Sequence, residues 1–300
     1  PPAVARYLRD VDERVSRAES LADGSVGDAT QLLEAGTDPD GLTEIVALEA
    51  TALKRLAARA DSLASRAAAV DVPTDALGGR VIVTVAGGKG GVGKSTLAYN
   101  LAGALDALVV DADLAMAGLP GGRERGPDLH DVLADRATPA EAVRPGPVDV
   151  LPCGRSLAGA RLADVRRLRD AVAVRGYEHV VVDSPAGLRV DAGAPLAVAD
   201  VCLLVASTTR WALADAIAAR ELARALDCGL AAVALNRVVE EPPTKAVGRA
   251  LGAPATAVPA EPRFARSIGS ESPVTATAPE SAGARAVEDI AATVRRCAVG

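Results

Sequence analysis

Beyond Arg80 the chain alternates short β-branched runs with amphipathic stretches, and that alternation leaves few folds open. The runs are Val81–Val85, Ala107–Val110, Val148–Leu151, His179–Val182, Val201–Val205 and Leu230–Leu235, with Ala255–Val258 a weaker seventh. Helix-like segments such as Thr96–Leu105, Leu162–Val174 and Ala212–Leu226 lie between them. Strands joined through helices make right-handed crossovers. The expected fold class is therefore α/β, a mostly parallel, doubly wound sheet flanked by helices. In such sheets ligands bind beyond the carboxyl ends of the strands.

The first 79 residues have a different texture. Val4, Leu8, Val11, Val15 and Ala18 recur at helical spacing, and Leu42, Val46, Leu53, Leu56, Ala60, Leu63, Ala67 and Val70 follow a short heptad-like seam. Pro73 and the Gly78-Gly79 pair close this part as a linker. Residues 1–79 are thus expected to be an all-helical extension, a hairpin or short bundle, in front of a second domain over 80–300.

Composition narrows the partners. Aromatic residues make up only 2% of the chain, too few for a base-stacking RNA surface, and the net charge of −6 gives no overall basic footprint for nucleic acid. No apolar run approaches the ~18–20 residues that span a bilayer. The chain opens Pro1-Pro2-Ala3, without an initiating methionine or a signal-peptide core. The expected location is cytoplasmic. Cys153, Cys202, Cys228 and Cys297 form no CxxC pair and read as buried, reduced thiols. His130 and His179 have no metal-like neighbour at helical spacing and read as structural.

The chemistry concentrates after the first run. Val81–Val85 leads into Gly87-Gly88-Lys89-Gly90-Gly91-Val92-Gly93-Lys94-Ser95-Thr96, and Gly88–Ser95 fits the phosphate-loop pattern GxxxxGK[ST] with a strand before it and a helix after it. Glycines let successive N–H groups turn inward on an anion, and the helix adds its positive end. Gly88, Gly90, Gly91, Val92 and Gly93 form the cradle. Lys94 reaches the β- and γ-phosphates, Ser95 ligates Mg²⁺, and Thr96 bonds the α-phosphate. Of the four lysines in the chain, Lys54, Lys89, Lys94 and Lys245, two lie here, while arginine serves nearly everywhere else. A slender point charge suits such a loop better than a planar guanidinium.

The stretch GGKGGVGKST resembles the deviant Walker A loop of the MinD/ParA family of P-loop ATPases. That resemblance implies that Lys89 crosses an ATP-sandwich dimer to the phosphates of the other subunit, where it would neutralise charge developing in the transition state. Asp111-Ala112-Asp113-Leu114, ending the second run, resembles the family's DxD, with Leu119 matching a leucine later in the same switch. By that likeness Asp113 positions or activates the attacking water and Asp111 supports Mg²⁺ through bound water. MinD-type proteins carry Arg-Asn where this chain has Ala117-Gly118, a departure that bears on partner response and not on the chemistry.

His179–Val182 then delivers Asp183, an apolar strand ending in a carboxylate placed for the Mg²⁺ water shell. Asp183-Ser184-Pro185-Ala186-Gly187-Leu188 is close to the MinD form of the second switch, and Gly187 is placed there to sense the γ-phosphate. Leu235-Asn236-Arg237 closes the sixth run. In the family an Asn here reads the adenine edge, and Val258-Pro259-Ala260-Glu261 resembles the segment flanking the base. Asn236 and Pro259 carry over on that basis.

The implied activity is hydrolysis of ATP to ADP and phosphate, with ATP and Mg²⁺ as cofactors, by a switch that dimerises around ATP in spatial positioning or assembly. A protein partner or activator is expected. The chain's last residues, with Arg295 and Arg296 before a small apolar tip, are too few for stable membrane binding. Nucleic acid is not favoured: Arg161, Arg166, Arg167, Arg169 and Arg175 read as a solvated helix face. The alternatives are a DNA-associated ParA-like partition ATPase and a weakly hydrolysing ATP-binding scaffold. A redox or metallocluster carrier on the same loop would need a cysteine after the second switch, and residues 183–200 contain none.

Overall fold

The computed structural model describes residues 80–297 apart from 88–89, 115, 122–125, 155–156, 187–189 and 209, and leaves aside the side chains at 157–158, 161, 190–192 and 210–214. The expected helical extension, Gly88, Lys89 and Gly187 fall outside the described residues.

Among the described residues, seven strands form one sheet: β1 (Val81–Ala86), β2 (Leu108–Asp111), β3 (Val150–Leu151), β4 (His179–Asp183), β5 (Val201–Ser207), β6 (Gly229–Val238) and β7 (Ala255–Pro259). Their order is β3-β2-β4-β1-β5-β6-β7 and every pairing is parallel. The sheet is doubly wound about β1, as the alternation of runs predicts. The chain winds out through β2 and β3, returns at β4 and continues outward through β5, β6 and β7.

The helices are α1 (Lys94–Leu105), α2 (Leu129–Leu133), α3 (Pro139–Ala142), α4 (Leu157–Leu162), α5 (Leu168–Ala171), α6 (Val190–Val198), α7 (Arg210–Ala225), α8 (Thr244–Leu251), α9 (Pro262–Arg266), α10 (Val274–Thr277) and α11 (Ala282–Cys297). Because side chains alternate along a strand, β1 feeds both layers. Val81, Val83 and Val85 join α1 and α11 in one core, while Ile82 joins the core under α2 and α5. A third core lies between α7, α8 and the β5–β6 half of the sheet. Burial on both faces explains why β1, β2 and β4 are rich in valine, with Thr84 buried by a hydrogen bond to the Pro195 carbonyl and an aspartate ending β2 and β4.

Two expectations are corrected. The single helix predicted over Leu162–Val174 is broken into α4, a 3₁₀ turn (Val165–Arg167) and α5. Asp164 is the reason: its carboxylate accepts the Arg166 N–H at 3.1 Å and starts a new turn, while its own N–H donates to the Leu133 carbonyl. Cys297 is exposed, not buried, because the buried face of α11 ends at Val294; Cys153, Cys202 and Cys228 are buried.

The C-terminal helix α11 lays its apolar face, including Val287, Ile290, Ala291 and Val294, into the α1 core. Asn100, buried within α1, ties the same region together. Its Nδ2 donates to the Thr96 carbonyl and to Ser267 Oγ, both at 2.7 Å, and its Oδ1 accepts from the Val274 N–H at 2.7 Å. Among the described residues no helix is long and apolar enough to cross a membrane.

Candidate functional site

The phosphate loop leaves β1 and turns into α1, and glycines make that turn. A methyl group on Gly87 would lie 2.6 Å from the Val205 carbonyl oxygen, so the loop can pass there only without a side chain. Gly91 and Gly93 have φ of +78° and +97°, the left-handed region that glycine adopts without strain. Gly93 caps α1 with no side-chain hydrogen bond, and the first turn of α1 carries no acidic residue. Its leading amides and its positive end are thereby left to an anion. Thr96 follows in the first turn, half-buried.

Lys94 opens α1 and is only 7% exposed. Burial pushes its ammonium below the ordinary lysine value, and the Asp183 and Asp113 carboxylates act against that push. A buried cation facing acidic residues is a point charge held ready for a polyphosphate.

The carboxylates arrive from two neighbouring strands. Asp111 ends β2, Asp183 ends β4, and the two are directly opposite in the parallel register. Burial, reinforced by Asp111, raises Asp183 to about 8; it is 1% exposed. Asp111 is raised to about 6, again chiefly by burial, and three backbone amides pull it back. Those amides belong to Gly118 at 2.9 Å, Leu119 at 3.0 Å and Asp113 at 3.3 Å. They fold the loop after β2 back over the end of the strand. Asp113, half-buried on that loop, accepts the Met116 N–H at 3.0 Å through Oδ1.

Asp183 differs from Asp111 in having both oxygens buried without a hydrogen-bond partner. The Ser95 hydroxyl approaches closely enough to lower its pKa but does not meet it in hydrogen-bond geometry. Gly118 also comes close: a methyl group there would sit 2.8 Å from Ser95 Oγ and 3.9 Å from Asp183 Oδ2. Buried carboxylate oxygens that lack partners are costly unless a cation or a proton joins them. With a hydroxyl beside them, they form a hard oxygen donor set of the kind Mg²⁺ takes alongside bound water. The residues present fit that ion.

Asn236, near the end of β6 and 2% exposed, faces the phosphate loop from the other side. Its Nδ2 donates to the Val92 carbonyl at 2.8 Å, and its Oδ1 accepts the Arg237 N–H at 2.9 Å. A methyl group on Gly93 would collide with this amide at 2.2 Å. One N–H and one lone pair of the amide remain after these bonds. Arg237 has φ +59°, and the β6–β7 pairing shifts there, which sets Pro259 opposite Val238. Asn236 and Pro259 thus share one edge of the same sheet end.

The structure therefore gathers Gly90, Gly91, Val92, Gly93, Lys94, Ser95, Thr96, Asp111, Asp113 and Asp183 at the carboxyl ends of β1, β2 and β4, with Asn236 and Pro259 at the ends of β6 and β7. Sequence reasoning missed the close approach of Gly118 to Ser95 and the Asn236–Val92 bond, because neither has a spacing signal. In the arginine stretch, Arg167 is paired with Asp135 at 2.7 Å and Arg166 lies 3.9 Å from Asp164.

A parallel sheet with a glycine cradle after its central strand, and carboxylates ending the next two strands on one side of it, defines a P-loop nucleotide-binding protein. Residues 83–290 match the CobQ/CobB/MinD/ParA nucleotide binding domain, and the chain belongs to that family. Residues 1–71 match a domain of unknown function (DUF8080). An uncharacterized ATP-binding protein of Methanocaldococcus jannaschii is 37% identical over 171 residues, 53% of this chain and 65% of that protein. A second uncharacterized ATP-binding protein of the same organism is 32% identical over 228 residues, covering 71% of this chain and 86% of the relative. Among solved structures, the septum site-determining protein MinD of Pyrococcus horikoshii, complexed with Mg-ADP, superposes with a TM-score of 0.67 at 28% identity. That likeness covers 73% of this chain and 97% of the other. The MinD/ParA resemblance and the fold class expected from the sequence both hold.

Proposed function

We propose that the chain is a cytoplasmic ATP-binding switch that hydrolyses ATP slowly, closes as a homodimer around it, and serves spatial positioning or assembly through a protein partner. The observation that carries this reading is the buried Lys94 ammonium set against Asp183, whose unpaired oxygens lie beside Ser95. In this reading the glycine cradle and Lys94 hold the phosphates, with Thr96 at the α-phosphate. Ser95 and Asp183 hold Mg²⁺, and Asp111 supports it through water. Bound there, the ion neutralises charge on the β- and γ-phosphates. Asp113 orients a water toward the γ-phosphorus, and Lys89 of a second subunit offsets the charge that develops. Asn236 and Pro259 frame the base.

The Mg-ADP complex of the Pyrococcus horikoshii MinD and the ATP-binding relatives support the nucleotide and metal. The test is size-exclusion chromatography with ADP, ATP and a slowly hydrolysed analogue, beside steady-state turnover. A dimer that appears only with triphosphate supports the switch; a single species throughout removes it. Asp113→Ala is expected to bind ATP and dimerise while losing at least about 100-fold in turnover. Normal hydrolysis by that variant would remove Asp113 from the mechanism.

A further inference from the structure

The loop after β2 carries Asp113, and two side chains from distant parts of the chain hold its main chain from beneath. Cys153, two residues beyond β3, donates its thiol to the Asp113 carbonyl at 3.1 Å. His130, on α2, sets Nε2 3.3 Å from the Leu114 carbonyl and 3.6 Å from the Cys153 sulfur. Both side chains are sealed from solvent, Cys153 wholly and His130 with 2% exposed. A carbonyl can only accept, so Nε2 carries the proton. Nδ1 is left buried with no partner among the described residues.

The ring is not simply filling available space. A methyl group on Gly154 would lie 1.6 Å from Nδ1, and one on Gly159 would lie 2.7 Å from it. Two glycines on separate segments vacate the slot that the imidazole occupies. A core histidine needs any one partner, yet here two polar side chains bond consecutive carbonyls of one loop. That loop's far end is tied as well, by the Gly118 and Leu119 amides on Asp111. Between the two ties the Asp113 carboxylate lies near enough to Lys94 to bear on its charge.

We infer that Cys153 and His130 are positioning residues: they fix the main chain at Asp113 and Leu114 and so set the direction of the Asp113 carboxylate. The inference rests on the proposed part of Asp113 in hydrolysis. Both side chains are buried and bond the loop's main chain, so their effect belongs to turnover alone.

The test compares Cys153→Ala and His130→Leu with the donor-keeping variants Cys153→Ser and His130→Gln. Turnover, ADP affinity by calorimetry, and amide hydrogen exchange over residues 113–119 are measured on the full chain. Gly154→Ala, which displaces the ring while keeping its chemistry, is a third route to the same disruption. The expected result is a fall in kcat of about tenfold, the order of one lost hydrogen bond, in Cys153→Ala, His130→Leu and Gly154→Ala. KM and ADP affinity stay within about twofold, exchange quickens over 113–119, and the donor-keeping variants recover most of the loss. Full turnover in Cys153→Ala and His130→Leu overturns the inference. So does a loss of ADP affinity in step with kcat, which marks general damage to the fold. If the unaltered chain binds Mg-nucleotide but never hydrolyses it, the proposed function fails in its catalytic part. Hydrogen exchange then decides: faster exchange confined to 113–119 in Cys153→Ala upholds the brace, and unchanged exchange removes it.

Discussion

Burying Asp183 with both oxygens unpaired sets a conflict that a proton or a cation must resolve. Without a cation, its pKa of about 8 keeps it protonated in the folded chain over a range where the unfolded chain has released that proton. The folded state then binds more protons, so stability falls as pH rises from about 4 toward about 8. Asp111, pushed up to about 6, adds to the lower part of the slope. Thermal unfolding in chelator is expected to show that decline, on the order of a few kcal/mol in total. Asp183→Asn should flatten it and raise the melting temperature at pH 8. A slope unchanged by Asp183→Asn would show that the charge is relieved elsewhere. Lys94→Ala is expected to weaken ATP binding by at least about 100-fold, as loss of charge-assisted bonds to phosphate requires. Calorimetry checks it, and near-normal affinity would overturn the phosphate-loop assignment.

At the scale of elements, the strands were legible because a sheet covered on both faces must be written in β-branched runs. All seven runs became strands, and the ends of β1, β2 and β4 deliver the loop and carboxylates predicted from them. Short pieces were less legible. The break at Asp164 depends on one carboxylate capping a turn, which helical periodicity does not register. Cys153 and His130 are 23 residues apart and meet only because β3 and α2 adjoin the same loop, so no spacing announces them. Asn236 shows the opposite problem: a residue singled out for the base is also a strut of the phosphate loop. Asn236→Ala should therefore lower the melting temperature as well as the ATP affinity, leaving a buried Val92 carbonyl unpaired at a cost of about 1–3 kcal/mol. If affinity falls while the melting temperature holds, the amide serves the base alone.

Across the whole molecule, the site joins strands from both windings of the sheet, and ligand binding there should stabilise the domain as a unit. At about 100-fold excess over Kd, Mg-nucleotide is expected to add about 2.7 kcal/mol, or about 5–10 °C in melting temperature for a domain of this size. Scanning with Mg-ATP against chelated ATP measures it. A shift without Mg²⁺ equal to the shift with it would argue against Ser95 and Asp183 as the metal's holders. Helix α11 was not among the segments named from the sequence, although Val287, Ile290, Ala291 and Val294 recur at helical spacing along its buried face.

Asn100 bears on how such a domain can move. Sliding α1 along its axis by a single residue, about 1.5 Å, would misalign two tertiary hydrogen bonds that the amide makes, to Ser267 just after α9 and to Val274 at the start of α10. Those two bonds tie the helix behind the phosphate loop to the C-terminal part of the fold. In the proposed switch, a change of nucleotide would then act on the loops at the mouth of the sheet and leave α1 anchored to the C-terminal part of the fold.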